Sequence, residues 1–224
     1  MTRSVAALLL ALGPGCSAPD PQQEAVEALL AFPPEASTFT DPRLRSLELV
    51  RHEDRAEVLA RLPIEPGMRV ADVGCGLGWF TFDLARAVGP AGRVWAVDLE
   101  PEYLAIVDQR ETDPAFPNPG NVTTVLGRPD ALPLPPASLD LALLAHLDFH
   151  LVRPLQPEHH ATFLRSVHAA IRPGGRAAVL QWLGAREGST ADDMIRNFQD
   201  AGFFLEGRED YPSHDTVLLI LGRR

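Results

Sequence analysis

Three sets of residues in this 224-residue chain have types and spacings suited to chemistry. The first is a run of glycines behind an acid, Asp72-Val73-Gly74-Cys75-Gly76-Leu77-Gly78. Glycines at alternate positions strip every Cβ from one side of a turn, so a ligand can approach the backbone. The N–H groups opening the next helix have no partners within it and suit an electron-rich group. The second set is two acids, Asp98 and Asp130, each following an apolar stretch that reads as a strand. The third is His146-Leu147-Asp148-Phe149-His150, where an extended chain puts His146, Asp148 and His150 on one face. A histidine near its ordinary pKa serves as a general base, so this trio is the candidate catalytic set. A metal site and plain surface residues on a loop are the alternatives, and the reading adopted assigns no metal.

Spacing narrows the ligand of the glycine turn. A dinucleotide site uses G-x-G-x-x-G, whereas the spacing here is G-x-G-x-G. A phosphate loop places Lys after its last glycine; Trp79 and Phe80 stand there instead. Nicotinamide cofactors and phosphate gripping are therefore disfavoured. A ligand with a zwitterionic amino-acid tail fits better, held near backbone amides and an acid. Cys75 contributes backbone rather than a reactive thiol, because no base stands near it in sequence.

These residues must be positioned by the elements around them. A buried strand at 69–73 runs into the turn, and a helix follows at 79–88, with Phe80 and Trp79 as packing residues. Strands at 93–97, 121–126, 139–145 and 176–182 alternate with helices at 101–110, 157–171 and 190–201. The last strands, 203–208 and 216–221, are close enough for a hairpin. Such alternation predicts an α/β fold, a doubly wound and mostly parallel sheet with helices on both faces and right-handed crossovers. The catalytic trio and both acids then fall at the carboxyl ends of strands, where open α/β sheets bind ligands. Asp140, at a strand start, reads as a structural charge. Before the first strand, Asp41-Pro42 has the form of a cap opening a helix to about residue 62. Its arginines, Arg43, Arg45, Arg51, Arg55 and Arg61, read as a solvated face. Phe39, Arg51 and His52 are candidates for a lid.

At this point the sequence resembles the class I S-adenosylmethionine-dependent methyltransferases. The resemblance rests on the acid-x-G-x-G-x-G pattern at Asp72 to Gly78 and on Val97-Asp98 closing the second strand. It continues through Pro129-Asp130-Ala131-Leu132-Pro133, Leu139-Asp140-Leu141-Ala142-Leu143 and Arg172-Pro173-Gly174-Gly175-Arg176. It implies seven strands in the order 3-2-1-4-5-7-6 with the last antiparallel, and S-adenosyl-L-methionine as cofactor. It implies that Asp72 places the methionine ammonium while Gly74, Cys75, Gly76 and Gly78 line the tail. Asp98 would accept from both ribose hydroxyls, or cap the helix after it. Leu99 would pack on adenine. Asp130 would accept from the adenine amino group with the Ala131 N–H on a ring nitrogen, or Asp130 is an ordinary turn residue. His146 would pass near the sulfonium. The expected function is methyl transfer to a small-molecule acceptor; the alternative is a non-catalytic nucleoside-binding lipoprotein.

Composition bounds the setting. A formal net charge of −10 and a pI near 5.1 disfavour nucleic acid and anionic membrane as partners. The first residues carry Arg3, a short apolar run and Cys16, a pattern similar to a bacterial lipoprotein signal. The expected organisation is a signal at 1–16, a linker with a short helix at 17–41, and the methyltransferase-like domain at 42–224. Membrane contact would run through a lipid on Cys16, facing the periplasm or exterior; without a working signal the chain is cytoplasmic. With Cys16 and Cys75 as the two cysteines, no disulfide framework is expected.

Overall fold

A computed structural model describes residues 52–113, 119–147, 157–183, 190–211 and 216–224. The signal, the linker helix, the Asp41-Pro42 cap, and Asp148 and His150 lie outside the described residues. So do Phe39 and Arg51.

The fold grows from β1 (Arg69–Val73), which after the exposed Arg69 is buried on both faces and apolar except at Asp72. A strand buried on both sides suits the middle of a parallel sheet. It pairs in parallel with β2 (Arg93–Asp98) on one side and β4 (Leu139–Ala145) on the other. β3 (Val122–Leu126) extends the first side, and β5 (Ile171–Trp182) extends the second. β7 (Thr216–Gly222) runs antiparallel between β5 and β6 (Phe204–Tyr211). The order is β3-β2-β1-β4-β5-β7-β6, as the resemblance implied. The order reverses direction between β1 and β4, and that switch point opens a crevice at the carboxyl edge.

Alternation of side chains sorts the core into two faces. Ala71, Val73, Ala142 and Leu144 pack with Phe163, Leu164, Met194 and Phe198, from α4 (Pro157–Ala170) and α5 (Ala191–Asp200). Val70, Leu141 and Leu143 pack on the other face with Val58, Leu84 and Val88, from α1 (His52–Arg61) and α2 (Trp79–Val88). Ala96 shares a cluster with Phe82, Leu104 and Val107, which brings α3 (Pro101–Thr112) alongside α2. The Thr190 side chain closes a capping box with Asp193 and fixes the start of α5.

Two local readings change. Pro173-Gly174-Gly175 does not precede β5 but lies within it. Leu139 faces Ile171 and Leu141 faces Arg176, so the Pro-Gly-Gly segment is an inserted bulge in that pairing. Arg55 belongs to no solvated face: it is 8% exposed and pairs with Asp83.

Candidate functional site

The glycine turn is braced from inside the chain. The N–H groups of Gly74 and Cys75 donate to the Val97 carbonyl at 2.7 and 3.0 Å, and that of Gly78 donates to the Cys75 carbonyl. The Gly76 N–H donates to Asp98 Oδ2 at 2.8 Å. Arg110, buried on α3, donates to the Leu77 carbonyl at 2.6 Å. The turn is thus a fixed wall rather than a row of free donors.

Each glycine serves a different need. A Cβ on Gly74 would lie 2.2 Å from Leu147 Cδ1, so this glycine seats the loop after β4. Gly78 has φ +85°, and a Cβ there would crowd Val107 and Phe82; it packs α2 against α3 and does not line the cleft. A Cβ on Gly76 would meet nothing within 4 Å, so the turn opens onto space at that residue.

That space is a cleft of about 680 Å³ at the carboxyl edge, a size suited to a cofactor or drug-sized ligand. Asp72, Gly74, Cys75, Gly76, Asp98, Leu99, Ala131 and His146 all line it. Trp79 and Phe80 do so as well. Asp72 is only 2% exposed and accepts the Thr81 hydroxyl at 2.6 Å. Burial pushes its pKa up to about 7; Thr81 pulls it down through its hydroxyl and amide, while Asp98 and Asp83 add repulsion. One helix-opening amide, that of Thr81, is therefore already engaged by Asp72. Asp98 Oδ1 accepts the Glu100 N–H at 3.0 Å, but Glu100 itself is the N-cap of α3, so Asp98 is not the cap. Burial, and then repulsion from Asp72 and Asp98, drives the Cys75 thiol pKa upward, leaving it neutral.

Two predicted contacts lie elsewhere. The Asp130 carboxylate is held by Arg128 at 3.2 Å, and Arg128 rather than Asp130 lines the cleft. The Ala131 N–H donates to the Arg128 carbonyl at 3.4 Å within the same turn. His146 has φ +55°, an unusual conformation for a non-glycine residue, and its N–H donates to the Leu180 carbonyl. Asp140 binds Arg69 and Arg172 at the opposite edge, where it is structural. Among the described residues no group of three or more His, Cys, Asp or Glu is placed to hold a metal. Among them, too, no helix is long and apolar enough to cross a membrane.

Sequence reading missed the other half of the cleft. Arg55 and Val58 from α1, Phe163, Leu180, Tyr211 and Thr216 line it. The signal for Arg55 lay in its partner: Asp83 sits between Phe82 and Leu84, on a helix whose inner face is apolar. A buried carboxylate needs a compensating partner, and at Asp83 the two arginines Arg55 and Arg86 supply it.

Residues 70–175 match the family model described as a methyltransferase domain. A demethylmenaquinone methyltransferase of Geobacillus kaustophilus is 30% identical over 127 residues, covering 57% of this chain and 50% of that protein. A ubiquinone/menaquinone biosynthesis C-methyltransferase of Burkholderia cenocepacia is 28% identical over 128 residues, 57% of this chain and 49% of that one. The chain thus spans about half the length of the curated relatives it matches. Among solved structures, an S-adenosylmethionine-dependent methyltransferase from Aquifex aeolicus superposes with a TM-score of 0.66 at 20% identity. It covers 82% of this chain and 98% of its own. The fold is that of the class I methyltransferases, and the cofactor these findings indicate is S-adenosylmethionine. The cleft fits it: Gly76 leaves room at the turn, and the buried Asp72 carboxyl, repelled by its acidic neighbours, is suited to an ammonium.

Proposed function

We propose that this chain, with its methyltransferase domain at residues 70–175, moves the methyl group of S-adenosylmethionine onto a small, largely apolar acceptor. The observation that carries the proposal is the two-part cleft. Carboxylates from β1 and β2 flank the open glycine, and beyond them the wall turns apolar through Val58, Phe80, Leu147, Phe163 and Leu180.

S-adenosylmethionine supplies an electrophilic methyl group on a sulfonium. Asp72 receives the ammonium of its tail, directly or through water. Gly74, Cys75 and Gly76 form the wall beside that tail. Asp98, held rigid by two backbone N–H groups, keeps lone pairs for the ribose hydroxyls. Leu99 supplies an apolar surface for adenine. His146 stands at the end of β4, between the two halves, as the candidate base among the described residues. Asp130 has no part in this assignment. Alignment in a dry cleft provides much of the rate, on the scale of effective molarities of ~10⁵–10⁸ M.

The acceptor proposed is a ring compound of the quinol type. The quinone-methylating relatives support this, as does the apolar wall. The test is calorimetric titration of the full chain with S-adenosylmethionine and S-adenosylhomocysteine. A transfer assay with methyl-labelled donor and a soluble short-chain naphthoquinol follows. Saturable binding of both sulfur ligands and label in the quinol are expected. No binding of either ligand at millimolar concentration would overturn the cofactor assignment. Binding without label in the quinol would overturn the acceptor class.

A further inference from the structure

Arg55 is a cation set in the apolar half of the cleft, which it lines beside Val58, Phe80 and Tyr211. Its Nε stands 2.5 Å from Asp83 Oδ2, while Arg86 takes Oδ1 of the same carboxylate. Its Cζ lies 5.1 Å from the ring centroid of Trp79, a second cleft residue. The guanidinium is therefore held in place by an ion pair and by an aromatic face.

Among the described residues the charges in this cluster do not balance. One carboxylate answers two guanidiniums, each with five N–H donors in a fixed fork. One oxygen apiece leaves donors over on both. A buried charge without full compensation is costly. The Arg86 side chain relieves this at the surface, being 25% exposed. The Arg55 side chain is 10% exposed and borders the cleft instead. An anchor that merely fastened α1 to α2 would need no surplus positive charge facing a ligand space. A planar fork matches a carboxylate or phenolate better than a lysine does.

We propose that Arg55 determines acceptor specificity by holding an anionic oxygen of the acceptor, a carboxylate or a phenolate, with Asp83 and Trp79 as its positioning residues. This deepens the methyl-transfer reading and rests on it. The acceptor class becomes an apolar ring that carries one anionic oxygen near the methylated atom.

The test compares matched probes on the full chain at pH 8, with and without S-adenosylhomocysteine. 2-Naphthoate is set against 2-naphthamide, and 4-nitrophenolate against 4-nitroanisole. Wild type is expected to prefer at least one anion over its neutral analogue by about ten- to a hundred-fold, the range of a charge-assisted hydrogen bond. Which pair shows the preference identifies the oxygen. Arg55→Gln is expected to abolish it and Arg55→Lys to keep part of it, with S-adenosylhomocysteine affinity within about three-fold of wild type in both. The wild-type comparison needs no folded variant: equal binding of both members of both pairs overturns the inference. If the preference survives in Arg55→Gln, the anion is held elsewhere and the inference also falls. Loss of S-adenosylhomocysteine binding in wild type would instead sink the methyl-transfer reading, while the probe preference is still read without it.

Discussion

Asp72→Asn separates the electrostatics of the buried carboxyl from its packing. In the ligand-free protein its pKa is pushed from 3.8 to about 7 by burial, partly offset by Thr81. The folded chain thus binds this proton more tightly than the unfolded chain does. The stabilisation is complete below the unfolded pKa near 3.8 and is lost as pH rises through about 7. Over that span the loss is on the order of 4 kcal/mol. An asparagine keeps the size and still accepts the Thr81 hydroxyl, yet has no proton to lose. Asp83, also raised, to about 6, contributes a slope of the same sign in both proteins, so the difference between them isolates Asp72. Thermal and urea unfolding from pH 5 to 8 measures it. Wild type is expected to weaken relative to Asp72→Asn as pH rises. S-adenosylhomocysteine, whose tail also carries an ammonium, is expected to recover that stability in wild type and much less in the variant. Parallel pH profiles, or equal ligand affinity of the two proteins at pH 8, would refute the reasoning.

Three further outcomes follow from particular contacts. Asp98→Ala should weaken S-adenosylhomocysteine binding about ten-fold or more by calorimetry, because contacts to a charged group are worth about 1.5–3 kcal/mol; it should also loosen the turn by freeing the Gly76 N–H. Gly74→Ala should lower stability by about 1–2 kcal/mol from its φ of +75° alone. The clash with Leu147 should add to that, and the added part should be relieved by Leu147→Ala in a double-mutant melt. Cys16→Ser should shift the expressed chain from the membrane to the soluble fraction, as a lipid on Cys16 requires; an unchanged distribution removes the lipoprotein proposal.

The sheet was legible because its information is local. Apolar strands of five to seven residues alternate with helices, and the glycine turn follows the first of them. The order of strands came from the resemblance rather than from periodicity, which cannot say which strand lies beside which. Reading failed where a residue's partner is distant in the chain. Asp98 reads as a ribose contact or a helix cap, and neither reading shows that one of its oxygens holds Gly76, twenty-two residues earlier. The Asp130 pairing is local instead: its loop resembles an adenine contact, and Arg128, only two residues away, pairs with its carboxylate. Arg55 reads as surface by the arginine-rich composition around it. Its burial depends on Asp83, a single acid in an apolar helix of another part of the chain.

The bracing of the glycine turn bears on how one cleft would serve both halves of the proposed transfer. The amides of Gly74, Cys75 and Gly76 are engaged by Val97 and Asp98, so the wall is braced before any ligand arrives and the ordering cost of binding is reduced. Those contacts come from β2, an inner strand of the sheet. The opposite wall is drawn from α1, α2, α4, the loop after β4, and the ends of β5, β6 and β7. Elements at the periphery can change without disturbing the turn. In the proposed transfer the donor is held at the glycine turn, and the acceptor is met by the side chains of the opposite wall. Arg55 is the one charged residue that α1 contributes to that wall among the described residues. Its substitution should change which acceptor is taken while the donor is held as before.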